Sequence, residues 1–238
     1  MKLETKDLLT GDEISSKEFL ELIDFSIKLK EENKTVKGKQ LLENKTLAML
    51  FEKPSTRTRV SFETGMKQLG GHTIILSLNE MQHSRGESVE DTAKTLSGYV
   101  DGIVARVYEH SFIEDLAKHA TVPVINGLSN SYHPCQTLAD FMTIKEHKKK
   151  FKDLKIAWIG DGNNVCNSLI FGCSKTQTDI VIATPKGFEP NPEVVKKASE
   201  NTTIDLTTDP ESAVKDADIV MTDTFTSIHT SDPKRTEK

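Results

Sequence analysis

Hydroxyl and guanidinium side chains are concentrated directly after an apolar stretch, Thr46–Phe51, that is predicted to be a strand. The segment FEKPSTRTRVSFE at 51–63 carries four of them at a predicted strand-to-helix junction: Ser55, Thr56, Arg57 and Thr58. Free N–H groups at a helix start attract anions, and a forked guanidinium matches phosphate geometry. The pattern predicts a phosphate site without a Walker A loop. The alternative is a capped helix with surface arginines, although Arg57 would oppose the helix dipole.

Two further junctions carry groups that suit a carbonyl substrate. Arg106 ends the predicted strand 102–107, where it could serve an anion site or a surface salt bridge. His133 and Gln136 lie in SYHPCQT before a predicted helix, and an imidazole can donate to a carbonyl oxygen or exchange protons. A loop histidine can also be purely structural. Cys135 could be a nucleophile, but we interpret it as a small packing residue.

The second half of the chain offers amide and carboxylate groups. Gly160-Asp161-Gly162-Asn163-Asn164 resembles the start of a dinucleotide fingerprint, but Val165 occupies the third glycine position. We interpret it as a tight turn that exposes Asn163 and Asn164 to a cleft. Asp223 ends the last predicted strand, with Ser227 nearby. This aspartate could receive an ammonium group, or it could be a solvated strand end.

Alternating strand and helix patterns must position these groups. Apolar runs at 46–51, 73–78, 102–107, 122–126, 154–159, 179–183 and 218–222 predict strands, separated by amphipathic runs that predict helices. This alternation predicts an α/β fold of two doubly wound parallel-sheet domains, residues 1–150 and 151–238. Only about three strands are predicted in the second domain, which is therefore expected to be incomplete. Ligands in such sheets bind outside the carboxyl ends of the strands.

Bulk composition limits the function classes. The 238 residues are 36% hydrophobic and 28% charged, and a formal net charge of −5 argues against a nucleic-acid partner. The odd set of three cysteines, Cys135, Cys166 and Cys173, favours a reducing, cytoplasmic compartment over a disulfide framework. Neither a signal peptide nor a membrane-spanning run of the ~18–20 apolar residues required is predicted.

Two motifs resemble the carbamoyltransferases. They are Ser55-Thr56-Arg57-Thr58 within FEKPSTRTRVSFE and HPCQTLADFMTI at 133–144. The cysteine of HPCQ, the segment GDGNNVCNSL and the aspartate of TDTFTS are similar to the ornithine enzymes of this family. The resemblance covers nearly the whole chain.

The resemblance implies a reaction and the residues that perform it. Carbamoyl phosphate would transfer its carbamoyl group to the δ-amine of L-ornithine, giving L-citrulline and phosphate, with no metal or cofactor. The implied catalytic residues are Arg57, Arg106 and His133. The implied carbamoyl-phosphate-binding residues are Ser55, Thr56, Arg57, Thr58, Gln82, Arg106, His133 and Gln136. The implied ornithine-binding residues are Asn164, Asp223, Ser227 and Ile228.

The resemblance also implies a homotrimer or a multiple of trimers, with Gln82 lent to the phosphate site of a neighbouring subunit. The sequence departs from the family pattern at Ser227-Ile228-His229, where Ser-Met-Gly is usual, and it stops before the family's His-Cys-Leu-Pro motif. A truncated chain is therefore expected. Two alternatives stay open: a carbamoyltransferase for another amine, such as putrescine or aspartate, and a catalytically impaired remnant that binds carbamoyl phosphate.

Overall fold

Strands and helices alternate along almost the whole chain in the computed structural model, which describes residues 3–35, 40–52, 54–82 and 86–224. The strands are β1 (Thr46–Phe51), β2 (His72–Ser77), β3 (Gly102–Arg106), β4 (Val124–Leu128), β5 (Lys155–Ile159), β6 (Asp179–Ala183), β7 (Ile204–Thr207) and β8 (Ile219–Met221). The helices are α1 (Ser16–Thr35), α2 (Thr56–Gln68), α3 (Val89–Ser97), α4 (His110–His119), α5 (Pro134–Lys148), α6 (Asn164–Thr176), α7 (Pro192–Ala198) and α8 (Pro210–Val214).

The first sheet has the strand order β2-β1-β3-β4, and its neighbouring strands all pair in parallel. The chain order reverses between β1 and β3, which makes their carboxyl ends the switch point where open α/β sheets bind ligands. Phe51 at the end of β1 pairs with Arg106 at the end of β3. The loop after β1 therefore starts beside the Arg106 side chain.

The second sheet has the order β7-β6-β5-β8, again with parallel pairing, and its switch point lies between β5 and β8. The α/β fold class is confirmed, but the prediction of about three strands for this sheet was wrong by one. The missed strand is β7, a four-residue edge strand with the sequence IDLT. Leu206 on β7 is 49% exposed, so the strand has no buried apolar run that the sequence pattern could reveal.

The ends of two helices follow the sequence signals closely. The spacing of Ser15 and Glu18 predicts a capping box, and the structure has it: Glu18 N donates to Ser15 Oγ at 3.2 Å, and Ser15 N donates to Glu18 Oε2 at 2.8 Å. At the end of α2, Gly70 has φ +86°, and Gly71 N donates to Met66 O at 2.8 Å. These features are a Schellman motif, which needs a residue that tolerates the left-handed region.

The fourth strand and the helix after it have different bounds from those predicted. β4 runs to Leu128 rather than Asn126, and α5 starts at Pro134 rather than Thr137. Proline has no N–H to leave unsatisfied in a first turn, so it begins the helix instead of preceding it. His133 is consequently the N-cap residue of α5, directly against the helix start.

One hydrophobic cluster contains residues of helices from the first half of the chain together with residues of the second sheet and its helices. Phe19 of α1 and Phe141 of α5 belong to the same buried cluster as Trp158 of β5 and Ile170 of α6. The rings of Phe19 and Phe141 meet edge to face at 5.5 Å between centroids. Helices from the first half thus pack on the second sheet, and a boundary at residues 150 and 151 stays a prediction. Within the described residues, no helix combines the length and apolar character that a membrane crossing requires.

Candidate active site

A cavity of about 660 Å³ lies where the carboxyl ends of the two sheets face each other. Its wall is formed by the loops after β1, β4 and β8, by the last residue of β3 and by the start of α6, which follows β5, so both switch points open into one space. Its lining includes most of the predicted site residues: Ser55, Thr56, Arg57, Thr58, Arg106, His133, Gln136, Asn164 and Asp223. Parallel pairing brings these residues together from segments that lie far apart in the sequence.

The loop after β1 presents unused hydrogen-bond donors. Ser55 is the N-cap residue of α2, with φ −148° and ψ 113°, yet its side chain makes no capping hydrogen bond. The first turn of α2 contains no acidic residue to offset the helix dipole. The Ser55 hydroxyl and the N–H groups of the first turn therefore remain available to an anion that enters the cavity.

Two arginines place positive charge beside this loop. Arg57 is exposed, whereas Arg106 is 9% exposed and donates from Nη1 to Thr58 Oγ1 at 3.0 Å. Burial, followed by the neighbouring charge of Arg57, lowers the pKa of the Arg106 guanidinium. Among the described residues, no carboxylate forms an ion pair with either arginine. Like charges held together in this way favour a dianion between them.

The backbone around β3 fixes the position of Arg106. Glu52 N donates to Arg106 O at 3.0 Å, and Tyr108 N donates to Glu52 Oε2 at 2.6 Å. These two bonds tie Glu52, the first residue after β1, to Arg106 and to Tyr108. The start of the loop after β1 is therefore held at a fixed distance from Arg106.

Helix α6 holds the loop that carries His133. Asn164 Nδ2 donates to Ser129 O at 2.7 Å, and Asn167 Nδ2 donates to Ser131 O at 3.2 Å. His133 N donates to Ser168 Oγ at 2.8 Å. Three side chains of one helix thus bond to the backbone of residues 129–133. Asn164 is only 4% exposed but lines the cavity, as predicted, whereas Asn163, which was predicted to face the same cleft, is not among the lining residues.

Gln136 and Asp140, one helical turn apart on α5, interact on the cavity wall. Gln136 Nε2 donates to Asp140 Oδ1 at 2.9 Å. Burial raises the pKa of Asp140 to about 6; the bond from Gln136 opposes this shift and the charge of Asp223 adds to it. Asp140 was not predicted as a site residue from the sequence. Its spacing in HPCQTLAD, four residues after Gln136 on a predicted helix, was the available signal.

At the second switch point, between β5 and β8, the side-chain amide of Asn163 forms a hydrogen bond with the carboxylate of Asp223. Asn163 Oδ1 caps α6 by accepting from Val165 N at 3.0 Å and Cys166 N at 3.2 Å. Asn163 Nδ2 donates to Asp223 Oδ2 at 2.7 Å, and Asp223 Oδ1 accepts from Thr224 N, also at 2.7 Å. Asp223 is therefore an oriented carboxylate on the cavity wall, with a fixed partner.

Comparisons with known proteins agree with this two-sided site. Residues 6–146 match the domain described as aspartate/ornithine carbamoyltransferase, carbamoyl-P binding domain, and residues 152–238 match the Asp/Orn binding domain of the same proteins. The chain is 57% identical to an ornithine carbamoyltransferase of Cenarchaeum symbiosum over 238 residues, which is 100% of this chain and 78% of the relative. It is 51% identical to that of Bacillus thuringiensis, over 95% of this chain and 72% of the relative.

The chain belongs to the aspartate/ornithine carbamoyltransferase family.

Solved structures of the family have the same fold. The ornithine carbamoyltransferase from Pyrococcus furiosus aligns with a TM-score of 0.94 at 47% identity, over 100% of this chain and 77% of that one. The anabolic ornithine carbamoyltransferase from Campylobacter jejuni aligns with a TM-score of 0.90 at 40% identity, over 98% of this chain and 78% of that one. The family resemblance predicted from the sequence is thereby confirmed.

The glycine turn after β5 has a packing explanation in this member of the family. A Cβ placed on Gly162 would lie 2.1 Å from Pro190 N and 2.4 Å from Glu189 C. Gly162 N also donates to Phe188 O at 2.8 Å. The second glycine of the partial dinucleotide pattern is thus required where two backbone segments meet.

Cys135, next to His133, has the properties of a packing residue. Its Sγ donates to Asn126 O at 3.4 Å, and burial raises the pKa of the thiol to about 12. A thiol of this pKa stays protonated near neutral pH and is a poor nucleophile. This finding supports the interpretation of Cys135 as a packing residue.

One predicted residue lies away from this cavity wall, and two fall outside the described part of the chain. Gln82 is exposed, just beyond a short 3₁₀ helix (Leu78–Glu80), and it does not line the cavity. Ser227 and Ile228 lie outside the described residues. Their predicted roles in the family reaction are not tested by the structure.

Proposed function

We propose that this chain transfers the carbamoyl group of carbamoyl phosphate to the δ-amine of L-ornithine, giving L-citrulline and phosphate. One observation carries the proposal: a single cavity has a cationic, hydroxyl-rich wall at one sheet's switch point and an oriented carboxylate at the other's. The first wall suits the phosphate group of an acyl phosphate, and the second suits an ammonium group. A group transfer between an acyl phosphate and an amine needs both.

The first wall accounts for the carbamoyl phosphate half of the reaction. The phosphate dianion would lie at the start of α2, bound by the Ser55–Thr58 loop and Arg57. Arg106 and His133 would donate to the carbamoyl oxygen and stabilise the negative charge that develops on it during attack. Because Arg106 donates to Thr58, the guanidinium that binds the carbamoyl oxygen would stay at a fixed distance from the loop that binds the phosphate. The leaving phosphate would stay paired with the arginines.

The second wall accounts for the amino acid. Asp223 would receive the α-ammonium of ornithine, since Asn163 holds its carboxylate in place. Asn164 commits its Nδ2 to Ser129 O, which leaves its Oδ1 as the atom that can serve an ammonium group. The uncharged δ-amine would then reach the carbamoyl carbon and displace phosphate. Ser227 and Ile228 are proposed to complete this side.

A homotrimer, or a multiple of trimers, is the assembly we propose. Helix α2 has no buried residue over its 13 positions, and Val60 on it is 54% exposed. Ile74 on the neighbouring edge strand β2 is 43% exposed. These exposed apolar side chains on α2 and β2 support a subunit interface there. Gln82 would then reach a neighbour's phosphate site.

Three further expectations belong to this proposal. The chain would divide into a carbamoyl-phosphate-binding domain, residues 1–150, and an ornithine-binding domain, residues 151–238. The reaction would use no cofactor. A cytoplasmic location is supported by three free cysteines, Cys135, Cys166 and Cys173.

Calorimetric titration with carbamoyl phosphate, combined with a citrulline assay, tests the function. Arg57→Ala should weaken carbamoyl phosphate binding at least tenfold, because a charge-assisted hydrogen bond is worth about 1.5–3 kcal/mol. Arg59→Ala is the matched control: Arg59 lies on the same helix, pairs with Glu63 at 3.5 Å and does not line the cavity. Equal affinities for the two variants would refute the phosphate-loop assignment. Faster carbamoylation of putrescine or aspartate than of ornithine would reassign the amine.

A further inference from the structure

The side-chain amide of Gln136 has its donor end occupied by Asp140. Gln136 Nε2 lies 2.9 Å from Asp140 Oδ1, and both residues line the cavity. An ionised carboxylate can only accept hydrogen bonds, so it must face the NH₂ end of the amide and not the carbonyl end. The Gln136 side chain is therefore oriented by its neighbour one turn along α5.

This orientation determines what Gln136 can offer a substrate. The bond to Asp140 uses one of the two N–H groups of Nε2 and fixes which end of the amide faces Asp140, so that Oε1, an acceptor with two lone pairs, is at the opposite end. The carbamoyl group has one oxygen, which accepts, and one NH₂, which donates. Gln136 is then suited to the NH₂ end, while the carbonyl oxygen is left to Arg106 and His133.

We propose that Asp140 is a positioning residue that holds Gln136 so that its Oε1 selects a carbamoyl NH₂ group over a carboxylate or ester oxygen. The inference rests on the proposed function, because it concerns the carbamoyl end of the same substrate. It changes one sequence-based expectation, since the resemblance implied that Gln136 polarises the carbonyl. It also gives the site a means to reject acyl phosphates that have oxygen in place of nitrogen.

The charge on Asp140 should make this selection depend on pH. A protonated carboxyl can donate to Gln136 Oε1 and so turn the amide around. With a pKa of about 6, Asp140 exchanges its proton within an accessible range. Asp223, Arg57, Arg106 and His133 line the same cavity. The pH effect is therefore assigned by comparison with a variant that keeps His133 and both arginines and lacks only the Asp140 carboxyl.

Two small probes that differ only in the relevant group make the test direct. Phosphonoacetamide ends in C(=O)NH₂ and phosphonoacetate in a carboxylate, while both carry the same phosphonate. Their affinities for the full chain, measured by calorimetry at pH 8, give an amide-to-carboxylate ratio. We expect the ratio to fall about tenfold in Asp140→Ala and in Gln136→Ala, with no further fall in the double variant, because one hydrogen bond is removed in each case.

Control variants and pH separate positioning from general damage. Asp115→Ala on α4 removes an exposed helical aspartate outside the cavity and should keep the wild-type ratio. Between pH 8 and pH 5, the wild-type ratio should decline toward that of Asp140→Ala with a midpoint near 6, and the variant should show no such transition. Inorganic phosphate binding should be the same in wild type and Asp140→Ala.

The outcomes distinguish this inference from the function on which it rests. If both probes bind and Asp140→Ala leaves the ratio unchanged, the positioning role is overturned while the proposed function stands. If Gln136→Ala alone lowers the ratio, Gln136 selects the NH₂ group without help from Asp140, which also overturns the inference. If the wild-type chain binds neither probe nor inorganic phosphate, both the inference and the proposed function fail.

Discussion

Asn163 Nδ2 lies 2.7 Å from Asp223 Oδ2, joining residues 60 positions apart in the sequence. The two residues follow β5 and β8, the neighbouring strands at which the second sheet reverses its order. The same asparagine caps α6 through its Oδ1. One side chain thus starts a helix and orients the carboxylate that we assign to the amino-acid substrate.

These two tasks of Asn163 can be separated by mutation. Asn163→Ser keeps a capping oxygen but is too short to hold Asp223, so stability should stay near that of the wild type while KM for ornithine rises about tenfold. Thermal unfolding and initial-rate kinetics measure the two effects. Asn191→Ala is the matched control: Asn191 caps α7 by accepting from Glu193 N at 2.9 Å, outside the cavity. It should lose about 1 kcal/mol of stability and keep its KM. An unchanged KM in Asn163→Ser would contradict the orienting role.

The shared-site assembly predicts complementation between two defective chains. Gln82→Ala and Arg57→Ala should each weaken carbamoyl phosphate binding, because each removes part of every site in a trimer. In mixed trimers, some sites would combine an intact Arg57 with a neighbour's intact Gln82. Binding capacity after mixing and reassociation should therefore exceed that of either variant, as calorimetry can show. A mixture that binds no better than its components, with trimers verified by sedimentation, would remove Gln82 from the site.

Ser168 is predicted to affect catalysis through the position of His133. Ser168→Ala removes the acceptor for His133 N and should lower kcat by about tenfold, with a smaller change in carbamoyl phosphate affinity. Ser174→Ala is the matched control, since Ser174 is another buried serine of α6 whose Oγ accepts from Asn201 Nδ2 at 3.2 Å. We expect both variants to lose a similar amount of stability. Only Ser168→Ala should lower kcat. Equal kcat values would show that the bond to His133 N is dispensable.

Asp140 should make the folded chain less stable as the pH rises. Its folded pKa, about 6, lies above the unfolded value of 3.8, so its extra stabilisation is fully present below pH 3.8 and lost as the pH rises through 6. Asp140→Asn removes this dependence. The free energy of unfolding of the variant should therefore exceed that of the wild type by about 1 kcal/mol at pH 8 and by little at pH 4. The difference at pH 8 is smaller than the whole pKa shift would give, because Asp140 is partly solvated. Denaturant unfolding at the two pH values measures the difference; an equal gain at both would contradict the assigned cause.

The sequence predicted those parts of the fold that depend on local patterns. Buried strands such as Thr46–Phe51 and the capping box at Ser15 were predicted correctly because their signals lie within a few neighbouring residues. The exposed edge strand β7 was missed because its stability comes from pairing with β6 and not from an apolar run. The start of α5 was displaced because Pro134 was interpreted as ending a loop when it begins a helix.

The site was predicted less completely, for a related reason. Residue types at strand ends indicated which groups reach the cavity, since parallel sheets align those ends. Which atoms bind each other depends on contacts between distant segments, such as Asn164 with Ser129. Asp140 was missed because its importance comes from burial and from its bond to Gln136, and neither is visible in composition or periodicity.

The three bonds from α6 to residues 129–133 have a consequence for recombining this protein with its relatives. The backbone of that loop forms hydrogen bonds with the side chains of Asn164, Asn167 and Ser168. The loop and the helix must therefore come from the same parent if these bonds are to be kept. A chimera joined near residue 150 would take the loop from one parent and the helix from the other. A junction before Ser129 would transfer both together. The unit that can be exchanged between enzymes therefore begins inside the first half of the chain, ahead of the point where the second sheet starts.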